Sequence, residues 1–364
     1  MIFNFFPSRA LALYVGKTFF WRCLAMLAML VLVLQMLDLL SEAGDVLAYP
    51  GNGDAELWRY VSLRMPQLIS RFLPFAVLLG TLVTLTTLNA NSEVVSMKAG
   101  GLSAHQVLAP LMLVSAVIAA GSFVFNERIV ARSTATMSAW EAAEYGPIPS
   151  DSGVKANIWV RDGQDLIRAG QISGWGNRVT LKDITVYDRR ANTLISIIQA
   201  PTGRYIGPGW QLENARQFDV TRGTYRTIGT MRFGDTVRPD QFTLSSVDPD
   251  GLSFRTLREA ISALRSAGRP VASLEGAFWH KISGPLSSLL MPLLGSVAAF
   301  GLARSGKLFL RAVIAMALGF TYFVVDNFSL SMGDLGVYPP LIAAWAPFLL
   351  FLLVGETVLI TTEE

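Results

Sequence analysis

Val179-Thr180-Leu181-Lys182-Asp183-Ile184-Thr185-Val186-Tyr187-Asp188-Arg189-Arg190-Ala191-Asn192-Thr193-Leu194-Ile195-Ser196-Ile197-Ile198-Gln199 reads as two runs of β-branched and aromatic residues parted by a polar break. Such side chains suit a pleated, half-buried surface, and Asp and Asn in the break favour reversal of the chain. Shorter runs of the same kind occupy residues 158–160, 165–169, 210–212 and 217–220. Between them stand turn signals: Asp162-Gly163, Gly174-Trp175-Gly176-Asn177 and Gly207-Pro208-Gly209. Regular short strands with these turns point to an antiparallel sandwich or jelly roll rather than to βαβ units.

Outward from this stretch, residues 126–275 form a polar middle rich in Gly, Arg, Asp and Thr, and both flanks are hydrocarbon-like. The 364 residues are 52% hydrophobic and only 16% charged, with a mean hydropathy of +0.43. That balance describes a polytopic membrane protein. Apolar runs near residues 18–40, 66–88, 104–125, 278–302, 309–330 and 341–360 predict six transmembrane helices, with the β insert between the third and fourth. The expected organisation is a membrane half at 1–125, an extramembrane domain at 126–275 and a second membrane half at 276–364.

Local signals refine this plan. Residues 4–14, with Phe, Leu, Tyr and Arg9, fit an interfacial helix ahead of the first span. Ser41-Glu42-Ala43 resembles a signal-peptide cleavage site, but the apolar core before it exceeds the usual length, so the first run is expected to be a retained span. Pro50-Gly51-Asn52-Gly53 breaks the chain after it, and Pro66 and Pro74 are expected to kink the second span or reset its entry. The third span is expected to continue as helix until Tyr145-Gly146-Pro147. Leu257, Ile261 and Leu264 mark one face of a further helix, closed by Gly268 and Pro270. Arg9, Lys17 and Arg22 at the first span, and Arg304, Lys307 and Arg311 between the fourth and fifth, put both termini in the cytoplasm and the β domain outside.

Several functions are excluded. The net charge of +3 and the lack of any basic run give no reason for nucleic acid. The single cysteine, Cys23, forbids an intrachain disulfide, and two distant histidines argue against a His-based metal site. Gly301 to Lys307 matches G-x-x-x-x-G-K, but Leu308 replaces the Mg²⁺-binding hydroxyl and a membrane span precedes it where a strand is needed. No catalytic constellation emerges, so the chain is not expected to be an enzyme or to need a cofactor.

Two constellations remain. Residues 89–103 are longer than a turn between spans requires, with Ser92 a candidate cap, Glu93 in the first helical turn and Gly100-Gly101 a stop. A short helix there is either an ordinary connection or a coupling helix offered to a partner. On the other side, Arg64 and Arg71 share a helical face with Gln67, while Arg128 and Arg132 leave the third span four residues apart. Arginine forks bind phosphate well, so these side chains either snorkel and pair with carboxylates or receive anionic lipid headgroups. Asp38 and Asp326 are candidate partners for them or helix caps.

With these residues in view, the chain resembles the lipopolysaccharide-export permeases of the LptF/LptG family. The likeness covers nearly the whole chain. It rests on the three-plus-three plan, on Ser92-Glu93-Val94-Val95-Ser96-Met97-Lys98-Ala99-Gly100-Gly101, on Phe278-Trp279-His280-Lys281-Ile282-Ser283-Gly284-Pro285-Leu286, and on Gly319-Phe320 with Tyr338-Pro339-Pro340 and Pro347. Trp279 to Lys281 and Asp248-Pro249-Asp250 resemble the G-type branch more than the F-type. The resemblance implies an inner-membrane subunit of a Gram-negative ABC transporter, paired with a paralogous LptF-like permease and a cytoplasmic LptB-like ATPase dimer. It also implies a single-span LptC-like jelly-roll protein, a periplasmic LptA-like bridge, and lipopolysaccharide as cargo. Glu93, Val94, Met97, Lys98 and Gly100 would then serve ATPase coupling. Gln35 stands where some members carry a basic residue, which leaves the lipid contact of that span to the arginine cluster. A membrane-anchored scaffold, or the F-type subunit, is the alternative.

Overall fold

The structure, a computed structural model, describes residues 8–147, 155–173, 179–190, 193–220, 222–235, 237–239, 242, 249–266, 270–300 and 308–363. The chain divides into two compact units, one built of residues 1–43, 57–134 and 252–364, the other of residues 44–56 and 135–251.

The first unit is helical because its sequence offers uninterrupted apolar length. Helix α1 is Arg9–Ala48, α2 Asp54–Ala90, α3 the seven-residue Glu93–Ala99, and α4 Ala104–Phe125. A wide turn at Asn126–Val130 leads into α5, Ala131–Ala142. After the β region come α6, Phe254–Ser266, α7, Ala272–Phe300, α8, Leu308–Asp334, and α9, Pro340–Glu363. Ser103 and Gln106 close a capping box at the start of α4, with the Gln106 amide donating to the Ser103 hydroxyl at 3.2 Å.

Some sequence expectations need adjustment. Residues 9–14 are the first turns of α1, not a separate interfacial helix, because no breaker separates them from the apolar run. Helix α2 runs as one helix through Pro66 and Pro74, so neither proline resets its entry, and neighbouring helices make such prolines tolerable in membranes. Five described helices are long and apolar enough to cross a membrane: α1, α2, α4 with its extension, α8 and α9. Helix α7, where the fourth span is expected, has the length but carries Glu275, His280, Lys281 and several serines. It packs on α4, α8 and α9, and its Leu290, Leu293 and Leu294 lie in the core. The Gly301 to Lys307 turn lies outside the described residues, as do Gly174-Trp175-Gly176-Asn177 and Gly268.

One core unites these helices: Phe19 and Cys23 of α1, Leu78 and Leu85 of α2, Leu108 and Leu111 of α4, and Phe348 and Phe351 of α9. Gly80 matters here, because a Cβ on it would lie 2.5 Å from the Cys23 sulfur. The predicted α6 face is buried, with Leu257, Ile261 and Leu264 inside. Its start is fixed by Glu127, whose carboxylate accepts the Phe254 amide at 2.7 Å.

The second unit holds six strands: β1 Lys155–Asp162, β2 Asp165–Ser173, β3 Thr180–Arg190, β4 Thr193–Tyr205, β5 Trp210–Asp219 and β6 Thr224–Phe233. They form one antiparallel sheet in the order β1-β2-β3-β4-β5-β6. The antiparallel insert is as expected. Each described strand pairs with the next in sequence, so the described strands form one meandering sheet. The runs 210–212 and 217–220 belong to a single strand, and β6 was not foreseen. Ile167, Leu181, Ile198 and Leu212 bury one face, where Trp210 donates its indole N–H to the Val237 carbonyl at 2.8 Å. The predicted helix stop at 145–147 holds: Glu144 and Tyr145 turn left-handed, and Asn52 donates its amide to the carbonyls of Val46 (2.7 Å) and Tyr145 (3.0 Å).

Trp210 is fully buried, so Trp210→Ala is expected to cost the β unit about 3–5 kcal/mol. Hydrogen exchange on the full chain should show lost protection in β4, β5 and β6, with the helices unchanged. Equal loss in both units would contradict two independently cored bodies.

Candidate functional site

Helix α3 is anchored by two of the residues expected to serve coupling. Val94 is buried and Met97, three residues on, packs against the helical core. That spacing turns Val95, Ser96 and Lys98 outward, Val95 being 64% exposed. Gly100 follows the last turn, and Gly101 at φ 87° ends the helix. Ser92 occupies the cap position but adopts φ 59° and makes no side-chain capping bond, so the expected cap is corrected. Glu93 instead accepts from the Asn91 amide at 3.2 Å and from the Tyr14 hydroxyl of α1 at 3.4 Å. One long, exposed hydrogen bond thus joins α3 to the first membrane helix. Nearby in the fold, His105 at the start of α4 meets Glu356 near the end of α9 at 3.3 Å.

The arginine cluster separates into distinct roles. Arg64 grips Asp38 of α1 with both Nε and Nη2, at 3.0–3.2 Å, and donates Nη1 to Gln67 at 2.8 Å. Tyr60 adds its hydroxyl to Asp38 at 2.7 Å. Such a fork is strong and directional. Arg64 is therefore a clamp between α1 and α2, not an outstretched headgroup ligand. Arg71 and Arg128 are exposed, and among the described residues no hydrogen bond or ion pair engages either. They flank one contact, Ser70 donating to the Asn126 side chain at 2.6 Å, which brings the two arginines to the same region. Arg132 is also exposed, but it has an interaction of its own.

Gln35 and Asp326 lie inside the helical body. Gln35 is 6% exposed, and neither atom of its amide has a hydrogen-bond partner among the described residues. Asp326 faces His280 of α7 at 3.9 Å instead of the arginines. His280 also approaches the Ser283 hydroxyl at 3.4 Å. Sequence reading missed the roles of Tyr60, Tyr14 and His280. Tyr60 was the findable one, since it stands four residues before Arg64 on the same helical face.

The clamp makes a sharp expectation. Asp38→Ala takes the carboxylate from a half-buried guanidinium that keeps its bond to Gln67, and is expected to cost about 2–4 kcal/mol, more than the double change with Arg64→Ala. Thermal unfolding of the full chain in detergent measures this, and equal losses in the two variants would make the pair dispensable.

Residues 13–361 match the family described as lipopolysaccharide export system permease LptF/LptG. The lipopolysaccharide export system permease protein LptG of Escherichia coli strain K12 is 28% identical over 362 residues, covering 96% of this chain and 97% of that relative. Its namesake from Haemophilus influenzae is 27% identical over 355 residues, covering 93% of this chain and 95% of the relative.

Proposed function

The chain belongs to the LptF/LptG family of lipopolysaccharide export system permeases, and on that premise we propose that it is the G-type permease subunit of an ABC transporter. It draws lipopolysaccharide from the inner membrane and passes it to a periplasmic bridge. A separate LptB-like ATPase dimer supplies the energy, and an LptF-like permease completes the membrane part. Both termini and α3 face the cytoplasm, while the β unit stands in the periplasm, beside LptC-like and LptA-like jelly-roll partners.

The observation that carries this reading is α3. An interspan connection needs no helix of its own, yet this one is fixed inward by Val94 and Met97 and presents Val95 and Lys98 outward. A short helix seated this way transmits a push on its outer face to α2 and α4 as a lever. Glu93 sits at its base, half-buried and held to Tyr14. A carboxylate there can exchange that weak contact for a basic residue of the ATPase, and the exchange would reach α1 directly. The arginines then divide the remaining work. Arg71 and Arg128 offer exposed guanidiniums to substrate phosphates, while Arg64 and Asp38 hold the first two spans together. The edge strands β1 and β6, each with one neighbour among the described residues, supply backbone hydrogen-bonding groups for a neighbouring jelly roll by strand addition.

Proteoliposomes holding both permeases and the ATPase, with a soluble periplasmic acceptor, test the scheme. Glu93→Ala is expected to reduce ATP-driven lipopolysaccharide release by about tenfold or more, because a charge left unpaired in a docking groove costs more than the pair gained. Arg71→Ala with Arg128→Ala should lower lipid crosslinking while ATPase association is retained. Full release by the Glu93 variant would remove that residue from coupling. A chain that never copurifies with an ATPase would be a scaffold.

A further inference from the structure

The β sheet has a polar face that the export scheme leaves unused. Side chains directly opposite one another on neighbouring strands share a face. Trp159 stands opposite Arg168, Arg168 opposite Thr185, Thr185 opposite Gln199, Gln199 opposite Arg216, and Arg216 opposite Thr227. One unbroken row therefore crosses all six strands. It begins with an aromatic ring, carries two guanidiniums, and fills the space between them with groups that both donate and accept hydrogen bonds.

A fault in the sheet runs beside this row. Buried positions along a strand normally recur every second residue. Here they fall three apart at Ala169 and Ile172, at Leu181 and Ile184, and at Leu212 and Ala215. The switch of face occurs at Gly170, Asp183 and Asn214. Asp183 and Asn214 accomplish it with φ values of 52° and 55°, a conformation side chains other than glycine adopt at a cost. Gly170 is required, because a Cβ there would lie 2.8 Å from the Asp183 Cβ. Glu144, at φ 50°, brings the end of α5 over the same place. These left-handed residues surround a depression of about 900 Å³ lined by Arg168, Arg216, Gln199 and Asn214 together with the carboxylates of Glu144 and Asp183, and Trp159 stands outside this lining, at the end of the row. Strained residues gathered around one concave polar surface are the pattern of a built site.

We infer that this depression binds a saccharide bearing phosphate or another anionic group. The choice of a saccharide rests on the export reading, and the geometry supports it independently. Arg168 and Arg216 are three strand spacings apart, about 14 Å, a distance that one phosphate cannot bridge and a short anionic oligosaccharide can. Thr185, Gln199 and Asn214 between them suit hydroxyl groups, which need donors and acceptors together. Trp159, 49% exposed, lies against Tyr187 with ring centroids 5.6 Å apart and planes at 18°. The pair presents a flat apolar platform at one end of the row, able to take the C–H face of a sugar ring. The two faces of the sheet thus divide by chemistry: the Trp210 face is apolar, and the Arg216 face takes the polar part of an amphipathic cargo.

The test uses the full chain in nanodiscs and a lipid-free, phosphorylated core oligosaccharide, with binding followed by calorimetry. The intact chain should bind. Trp159→Ala and Arg216→Ala, both exposed positions that leave the fold intact, should each weaken binding about tenfold. Removing the phosphates should weaken binding to the unsubstituted chain and have little further effect on Arg216→Ala. A photocrosslinker at Gln199 should capture intact lipopolysaccharide during export, which separates lipid-linked from free saccharide as the source. No binding by the intact chain, or an affinity in both variants equal to that of the intact chain, would overturn the site. Failure of ATP-driven export with oligosaccharide binding preserved would overturn the transport reading and leave the site standing.

Discussion

Hydrocarbon offers no hydrogen-bond partners, and that constraint organises the whole molecule. A helix satisfies its backbone from within, so the long apolar helices can enter a membrane. The six-stranded sheet ends in two strands, β1 and β6, each with one neighbour among the described residues. Its open backbone groups require water or a partner strand. The chain therefore keeps two separate cores, one built by helices around Phe19, Leu78 and Leu111, the other by strands around Ile167 and Trp210.

Within the helical unit, the same constraint governs each polar side chain. Arg22 of α1 donates to the Val83 carbonyl of α2 at 3.1 Å, and further along the same two helices Arg64 forks onto Asp38. Gly80 lets the helices approach between these contacts. The first span is thus fastened to the second at both ends, and α3 touches its start through Tyr14. Under the proposed function, movement of α3 reaches the lipid-facing first span through hydrogen bonds and close packing, with no flexible loop between.

Helices were legible because hydrophobic length is a strong signal: the third span was read at 104–125 and α4 occupies those residues. Strand β6 was hidden because Arg226, Gly229 and Arg232 dilute its β-forming residues, and Gly229 turns left-handed within it. Strand β5 read as two because Asn214 interrupts its pattern where the face switches. The arginines were visible as charges, but their fates were not. Only tertiary contact distinguishes Arg64, held by Asp38, from Arg71, which projects outward. Asp326 likewise looked like a partner for the arginines or a helix cap, and it lies in the interior facing His280.

The account depends most on energy entering at α3 on one side of the membrane and cargo leaving by the sheet on the other. The native Cys23 is buried and gives no background to thiol labelling. Single substitutions Val95→Cys on α3 and Tyr225→Cys on β6, both at exposed positions, report the two sides. With a membrane-impermeant maleimide on intact spheroplasts, Tyr225→Cys should label at once and Val95→Cys only after the membrane is permeabilised. Labelling of both before permeabilisation, or of Val95→Cys alone, would contradict it.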